Sequence, residues 1–174
     1  LKLALQVFRD ARAHDKVVQT LNGLGHYDKA MQYSTQVGYT PNYPDMLRKM
    51  LQTQQPDAPR QAMEMAVQLA KNPNVTLDIN QTVSIFTDFN MLEQATGFLL
   101  KVLDGDKPSD AVLQTKLLEM NLTAGHTKVA DAILDCDCFH HFDKTLVANL
   151  CERRGLFQRS LDLYTNIEDI KRVL

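Results

Sequence analysis

A short phrase recurs about every thirty residues along the chain and constrains its fold more than any other feature. Each copy begins with Gly, Asn or Asp, which accept a left-handed or helix-capping backbone, and has a small residue five positions later. Successive copies begin 32, 33, 35 and 30 residues apart. The first and the small residue of each copy are Gly25 and Ala30, Asp57 and Ala62, Asn90 and Ala95, Gly125 and Ala130, and Gly155 and Ser160.

A period of this length is typical of stacked helix pairs, because one pair cannot bury its own apolar face. Apolar residues recur at helical spacing in segment after segment, as in Leu146, Val147, Leu150 and Cys151. We therefore predict an all-α fold, a right-handed, tetratricopeptide-like α-solenoid of short antiparallel helix pairs, with eleven or twelve helices. The 174 residues are enough for about five repeats.

The spaces between the periodic segments carry turn and capping residues. The small residue of each phrase should lie near the start of the second helix, where a larger side chain would hold the paired helices apart. Pro44 suits the first position of a helix, and Ser109 and Asp143 are placed to cap the helices that follow them. All connections are short, so we expect residues 1–174 to form a single continuous solenoid segment.

Charge and hydropathy restrict the possible partners. The 19 basic and 21 acidic residues leave a net charge of -2, which argues against nucleic acid as a partner. No apolar run approaches the roughly 20 residues that cross a bilayer, so we expect no direct membrane insertion. The three cysteines form an odd count, which favours a reducing compartment. A start at Leu1 and an end at Leu174 suggest a fragment of a much longer chain.

The residues 136–141, Cys-Asp-Cys-Phe-His-His, are the one cluster that suggests a metal site. Tetrahedral zinc sites take ligands from two separated pairs, and this spacing instead favours a turn between helices with incidental cysteines. His14, His26 and His126 lie at or near turns with no triad-like partners in sequence. We therefore predict a protein that is not an enzyme, with no catalytic residues, cofactor or metal.

Two further expectations concern the surface. Arg153, Arg154 and Arg159 should mark a solvated face around a helix end. The apolar end faces of the stack should be partly uncovered, so we expect the chain to self-associate at high concentration. The residues that carry this second expectation are Leu5 and Phe8 at one end, and Ile170 and Leu174 at the other.

Several ordered phrases resemble the helical-repeat leg of the clathrin heavy chain. The strongest is Leu-Gln-Thr at 113–115, continued by Leu-Leu-Glu-Met-Asn-Leu at 117–122. Val-Ala-Asp-Ala-Ile-Leu at 129–134, Val-Gly-Tyr-Thr-Pro at 37–41 and Asp-Ile-Lys-Arg-Val at 169–173 extend the match. The resemblance covers essentially the whole chain and is densest after Leu113. Runs of six or more residues are much more specific than a turn shared with tetratricopeptide repeats.

This resemblance implies a clathrin heavy-chain repeat from the ankle or the start of the distal leg, with a structural function in the coat. The implied partners are other heavy-chain legs, through the homotrimer and through lattice contacts, while light chains and adaptors would bind elsewhere on the parent chain. The implied location is cytoplasmic and peripheral, on coated pits and coated vesicles. Two alternatives are a peptide-binding tetratricopeptide-like adaptor and a subunit of a vacuolar tethering complex.

Overall fold

Short helices make up most of the molecule. The computed structural model describes the backbone of residues 2–53 and 55–173, and the side chains of residues 6–53 and 55–171. The described residues contain no β-strand, and the all-α prediction is confirmed. They form a 3-10 helix at Pro108–Asp110 and twelve α-helices: α1 (Lys2–Asp10), α2 (His14–Gly23), α3 (Tyr27–Val37), α4 (Tyr43–Gln52), α5 (Ala58–Lys71), α6 (Ile79–Asp88), α7 (Leu92–Val102), α8 (Ala111–Thr123), α9 (Thr127–Asp135), α10 (Lys144–Arg153), α11 (Phe157–Leu163) and α12 (Ile167–Val173).

The helices pack in consecutive pairs, and from α4 onwards each pair packs on the next. The pairs are α2 with α3, α4 with α5, α6 with α7, α8 with α9, and α10 with α11. Between pairs, α4 contacts α6, α5 contacts α7, α7 contacts α8, and α8 contacts α10. Because the main contacts among the described residues join sequence neighbours and their next neighbours, the chain has the helical-repeat architecture that its sequence period predicts.

Antiparallel pairs place the connections alternately on two edges of the stack. We call one the tight-turn edge, where the two helices of a pair are joined at 24–26, 53–57, 89–91, 124–126 and 154–156. We call the other the loop edge, where successive pairs are joined at 38–42, 72–78, 103–110 and 136–143, and where 11–13 and 164–166 join α1 and α12 to the pairs. The connections between successive pairs have five to eight residues, whereas four of the five connections on the tight-turn edge have three.

The apolar core runs along the stack between the helices. Phe86 of α6 and Phe98 of α7 are completely buried, with ring centroids 6.2 Å apart. Met46 of α4 and Leu117 of α8 are also completely buried and continue the core on either side. Burial of apolar surface contributes about 25 cal/mol per Å², so this core supplies the main stabilisation of the stack.

Side-chain caps occur where helices begin on the loop edge. Asn42, Asp78 and Asp143 each accept a hydrogen bond from the backbone N–H three residues later, at 3.0, 3.0 and 2.9 Å. Ser109 does not cap α8, because residues 108–110 form a 3-10 turn in which its hydroxyl donates to Asp110 Oδ1 at 3.0 Å. Pro44 is the second residue of α4, still within the first turn where its missing N–H is harmless.

The end faces of the stack are partly described. Phe8 of α1 packs half-buried against the core, and Ile170 of α12 is also half-buried. Leu174 and the side chain of Leu5 lie outside the described residues, so self-association stays a prediction. No helix in the described ranges is both long and apolar enough to span a bilayer.

Candidate functional site

Four of the five predicted turns share one backbone geometry on the tight-turn edge. Gly25, Asn90, Gly125 and Gly155 have positive φ angles of 73°, 58°, 84° and 78°. In each turn the N–H of the next residue donates to the carbonyl five residues before it, over 2.8 to 2.9 Å. This is the Schellman arrangement, which ends a helix and satisfies its last carbonyl groups without any side chain.

The small residue of each phrase lies in the first turn of the second helix. The N–H groups of Ala30, Ala95, Ala130 and Ser160 donate at 3.0 to 3.1 Å to the carbonyl four residues earlier, which belongs to the residue just after the left-handed one. All four side chains, and that of Ala62, have no exposed surface. A side chain larger than Ala or Ser at such a position has no free volume to occupy.

Asp57 departs from the left-handed or capping function that the sequence predicts for it. Its φ and ψ angles of -87° and -6° are right-handed, and its carboxylate makes no cap hydrogen bond to α5. The connection that contains it, 53–57, is longer than the three-residue turns of the other pairs. Because the chain has more residues in which to reverse, Asp57 does not have to adopt a left-handed backbone.

The turn that joins α1 to α2 has the same geometry, and the sequence phrase did not reveal it. Arg12 has a φ angle of 53°, and Ala13 N–H donates to Phe8 O at 2.9 Å. Val17 occupies the place of the small residue and is completely buried. The sequence phrase requires Gly, Asn or Asp at the first position and a small residue five positions later. It misses this turn because Arg occupies the left-handed position and Val the buried one.

Two arginines tie the last helix pair to the pair before it. Arg159 of α11 donates from Nε to Asp131 Oδ1 at 2.6 Å and from Nη2 to Asp135 Oδ1 at 2.8 Å, and both carboxylates belong to α9. The bonds from Asp135 and Asp131 raise the pKa of Arg159 further above its ordinary value. Arg154 donates to the carbonyl of Thr123 at the end of α8. The expectation of a merely solvated basic face is therefore wrong for these two residues.

Buried polar side chains join the pairs at two further levels. Thr96 of α7 and Asn121 of α8 are buried together, and Asn121 Nδ2 donates to Thr96 Oγ1 at 3.0 Å. Gln114 of α8 is completely buried; its Nε2 donates to Asp106 Oδ1 at 2.8 Å and its Oε1 accepts from His141 N–H at 2.9 Å. Gln114 therefore holds two consecutive connections of the loop edge in contact with one helix.

The cluster at 136–141 forms part of the loop edge. Cys136 and Cys138 are joined by a disulfide, which corrects the expectation that they are incidental thiols. Among the described residues no group of three or more His, Cys, Asp or Glu side chains is arranged to hold a metal ion. Cys151 is a free, completely buried thiol, and burial raises its pKa to about 11.

The other histidines identified in the sequence lie at helix starts. His26 and His126 are the residues immediately before α3 and α9, and neither side chain makes a capping hydrogen bond. His14 Nδ1 lies 2.7 Å from Tyr33 Oη, a contact that joins α2 to α3. Surface grooves lie between the helices, and two of them have similar volumes of about 530 and 470 Å³.

Stacked helix pairs joined by Schellman turns define the class of this molecule as a helical-repeat protein. Residues 70–174 match the family described as a region in clathrin and VPS proteins. Across its length the chain is 40% identical to the clathrin heavy chain of Drosophila melanogaster and, over 99% of it, 40% identical to that of Dictyostelium discoideum and 43% identical to clathrin heavy chain 2 of Oryza sativa subsp. japonica.

The chain therefore belongs to the clathrin repeat family. The resemblance to clathrin heavy chains is confirmed, because the alignments cover essentially the whole chain and the relatives come from an animal, an amoeba and a plant. The chain spans about 10% of the length of these relatives.

Proposed function

We propose that this chain is a structural component of the clathrin coat, a leg segment that supports triskelion and lattice assembly in vesicle-mediated transport and endocytosis. The observation that carries this proposal is identity near 40% over the whole chain to clathrin heavy chains of distant eukaryotes. We also propose that the segment is not an enzyme and acts mechanically.

The packing of the helices suits a strut. Each pair makes its main described contacts with neighbouring pairs, so bending distributes over many interfaces and no single interface has to deform strongly. Directional ties such as Arg159 to Asp131 and Asp135 resist sliding between pairs. Polar side chains cover much of the outer surface, and many weak leg-to-leg contacts together give a stable but reversible lattice.

The proposed partners are other heavy-chain legs, in the homotrimer and in the lattice. Light chains and adaptors would bind elsewhere on the parent chain, and neither nucleic acid nor direct membrane insertion forms part of the function. The proposed location is cytoplasmic and peripheral, on coated pits and coated vesicles. Residues 1–174 would form one continuous segment of the leg.

Imaging of the parent protein tests this proposal directly. The endogenous parent chain, recognised through this segment, is purified and examined by negative-stain electron microscopy before and after transfer to assembly buffer. Three-legged particles that close into polyhedral cages are the expected result. Compact monomers would instead favour a peptide-binding adaptor, and a hetero-oligomer would favour a tethering-complex subunit; either result would overturn the coat function.

A further inference from the structure

A histidine joins two consecutive connections of the loop edge. His140, in the connection 136–143, lies against Asp106, in the connection 103–110. Its ring Nδ1 is 2.8 Å from Asp106 Oδ2, and its backbone N–H donates to Asp106 Oδ1 at 3.0 Å. On the other side of the ring, Nε2 is 3.1 Å from Asp137 Oδ1. Both ring nitrogens therefore face a carboxylate oxygen.

This geometry requires a particular protonation state of the ring. A neutral imidazole carries one N–H donor, and its other nitrogen is an acceptor with a lone pair. Only the imidazolium ion can donate to both Asp106 and Asp137. When His140 is neutral, one carboxylate faces a lone pair and that contact becomes repulsive.

We propose that His140 is a proton-binding joint between the helix pairs α6–α7, α8–α9 and α10–α11, closed when the imidazole is protonated and loosened when it is neutral. The ligand of this joint is the proton, and its effect is on the contact between the two connections. The proposal is independent of the function of the coat, because it rests on side chains within the segment.

The two backbones that the joint connects are held in unusual conformations. Asp106 has a φ angle of 38° and Asp137 one of 51°, both in the left-handed region that non-glycine residues seldom adopt. These conformations direct the two carboxylates to opposite nitrogens of one ring. Residues in the left-handed region persist only where surrounding contacts hold them, and His140 supplies such a contact to both.

Other charged groups also face the ring. His141 Nε2 lies 3.8 Å from Asp106 Oδ2, within the same cluster. Lys144 of α10, with Arg159 and Asp162 of α11, lines a cavity of about 140 Å³ together with His140. Arg159 is already paired with Asp131 and Asp135. The charges that act on the His140 ring are those of Asp106 and Asp137.

The contacts raise the pKa of His140, first through the hydrogen bond to Asp106 and then through the charge of Asp137. Burial alone would raise the pKa of Asp106, but hydrogen bonds from His140 and Gln114 bring it below its ordinary value. Because the pKa of His140 is higher in the folded chain, its stabilising effect is complete below its unfolded value of about 6.5 and is lost as the pH rises through the folded value.

Part of the joint does not depend on pH. Gln114 binds both Asp106 and the His141 N–H, and Thr115 Oγ1 accepts from Asp143 N–H at 2.8 Å. Deprotonation of His140 should therefore loosen the two connections without separating the helix pairs. The change is confined to the loop edge, while the turns on the other edge have no titrating partner in their backbone hydrogen bonds.

Proton NMR titration of the His140 ring tests the proposal. The midpoint should be higher in the folded chain than in the same chain in urea, and Asp106→Asn should lower it, because Asn keeps an acceptor oxygen but removes the charge. Asp104→Asn, which removes a charge from the same connection, is the matched control and should leave the midpoint unchanged. An equal effect of both variants, or no effect of Asp106→Asn, would overturn the proposal.

Stability and exchange provide a second readout. His140→Gln should lower the melting temperature more at about pH 5.5 than at about pH 8.5, because the contribution of the protonated ring is lost as the pH rises. Amide protection of His140 and His141, corrected for intrinsic exchange, should fall over the same pH range. The same loss of melting temperature at both pH values would contradict the joint.

Discussion

The two edges of the stack end and begin helices by different physical means. On the tight-turn edge, four connections of three residues use one left-handed residue and backbone hydrogen bonds alone. On the loop edge, α4, α6 and α10 begin with side-chain caps, and the connections 103–110 and 136–143 are held by Gln114, Asp106 and His140. The tight-turn edge is therefore specified mainly by backbone conformation. The loop edge relies more on side-chain chemistry, although its turns at Arg12 and Gly38 have the same left-handed backbone.

This difference indicates which substitutions should destabilise the fold most. A backbone turn tolerates any exposed side chain, provided that the left-handed residue and the buried small residue are kept. A loop held by side chains tolerates changes in backbone but loses stability when one polar partner is removed, because the other partner is left unsatisfied. Substitutions on the two edges should thus differ in size and in their dependence on pH.

The largest effect should come from enlarging a buried small residue on the tight-turn edge. Ala130→Leu introduces three carbon atoms at a position with no exposed surface, and overpacking typically costs about 1–3 kcal/mol. We expect the melting temperature to fall by several degrees in thermal unfolding followed by circular dichroism. Lys128→Gln, at an exposed position two residues away, should leave it unchanged. Equal losses in both variants would show that the register of the small residues is wrong.

The second effect concerns the left-handed turn itself. Gly125 has a φ angle of 84°, so Gly125→Ala should lower the free energy of unfolding by about 1 kcal/mol, although its Cβ would meet no atom within 4 Å. At Gly23, in the last turn of α2, an added Cβ would also meet no atom within 4 Å, and the backbone there lacks a positive φ. Gly23→Ala should raise stability by up to about 1 kcal/mol. Changes of the same sign in urea unfolding would contradict the assignment.

The regular turns could be predicted from sequence because they depend on local chemistry. Gly or Asn at the left-handed position and Ala or Ser five residues later leave a pattern that repeats with the structure. The pattern was wrong at Asp57, where a longer connection removes the need for a left-handed residue. It also missed Arg12, because a side chain other than Gly or Asn adopts the same backbone there.

The loop edge could not be predicted, because its contacts join residues distant in sequence. Asp106 and His140 are separated by 34 positions, and Gln114 and His141 by 27. Such pairs meet only after the helix pairs have stacked, so neither spacing nor periodicity identifies them. The sequence therefore identified residues 136–141 as a cluster and placed them at a turn, but the partner of His140 required the fold.

A smaller effect is expected at a cap on the loop edge. Asp143 accepts from Leu146 N–H at 2.9 Å, and Asp143→Ala leaves that donor at the start of α10 without its partner. Loss of an N-cap costs about 1 kcal/mol. Asp143→Asn keeps an acceptor oxygen and should retain most of the stability in urea unfolding. If Asn were as destabilising as Ala, charge and not the cap bond would be the source of the effect.

The smallest effect on stability should come from alkylation of the exposed cysteines. Their reactivity also compares the accessibility of the loop edge with that of the buried side of α10. After reduction, the exposed Cys136 and Cys138 should react readily with iodoacetamide at about pH 8. Cys151 should stay unmodified in the folded chain, because it is completely buried and its pKa of about 11 keeps it a thiol. Peptide mass spectrometry should find Cys151 alkylated only in urea. Labelling of all three cysteines at one rate would mean that α10 opens towards solvent. The helix end beside the tight turn at 154–156 would then protect its cysteine no better than the loop edge does.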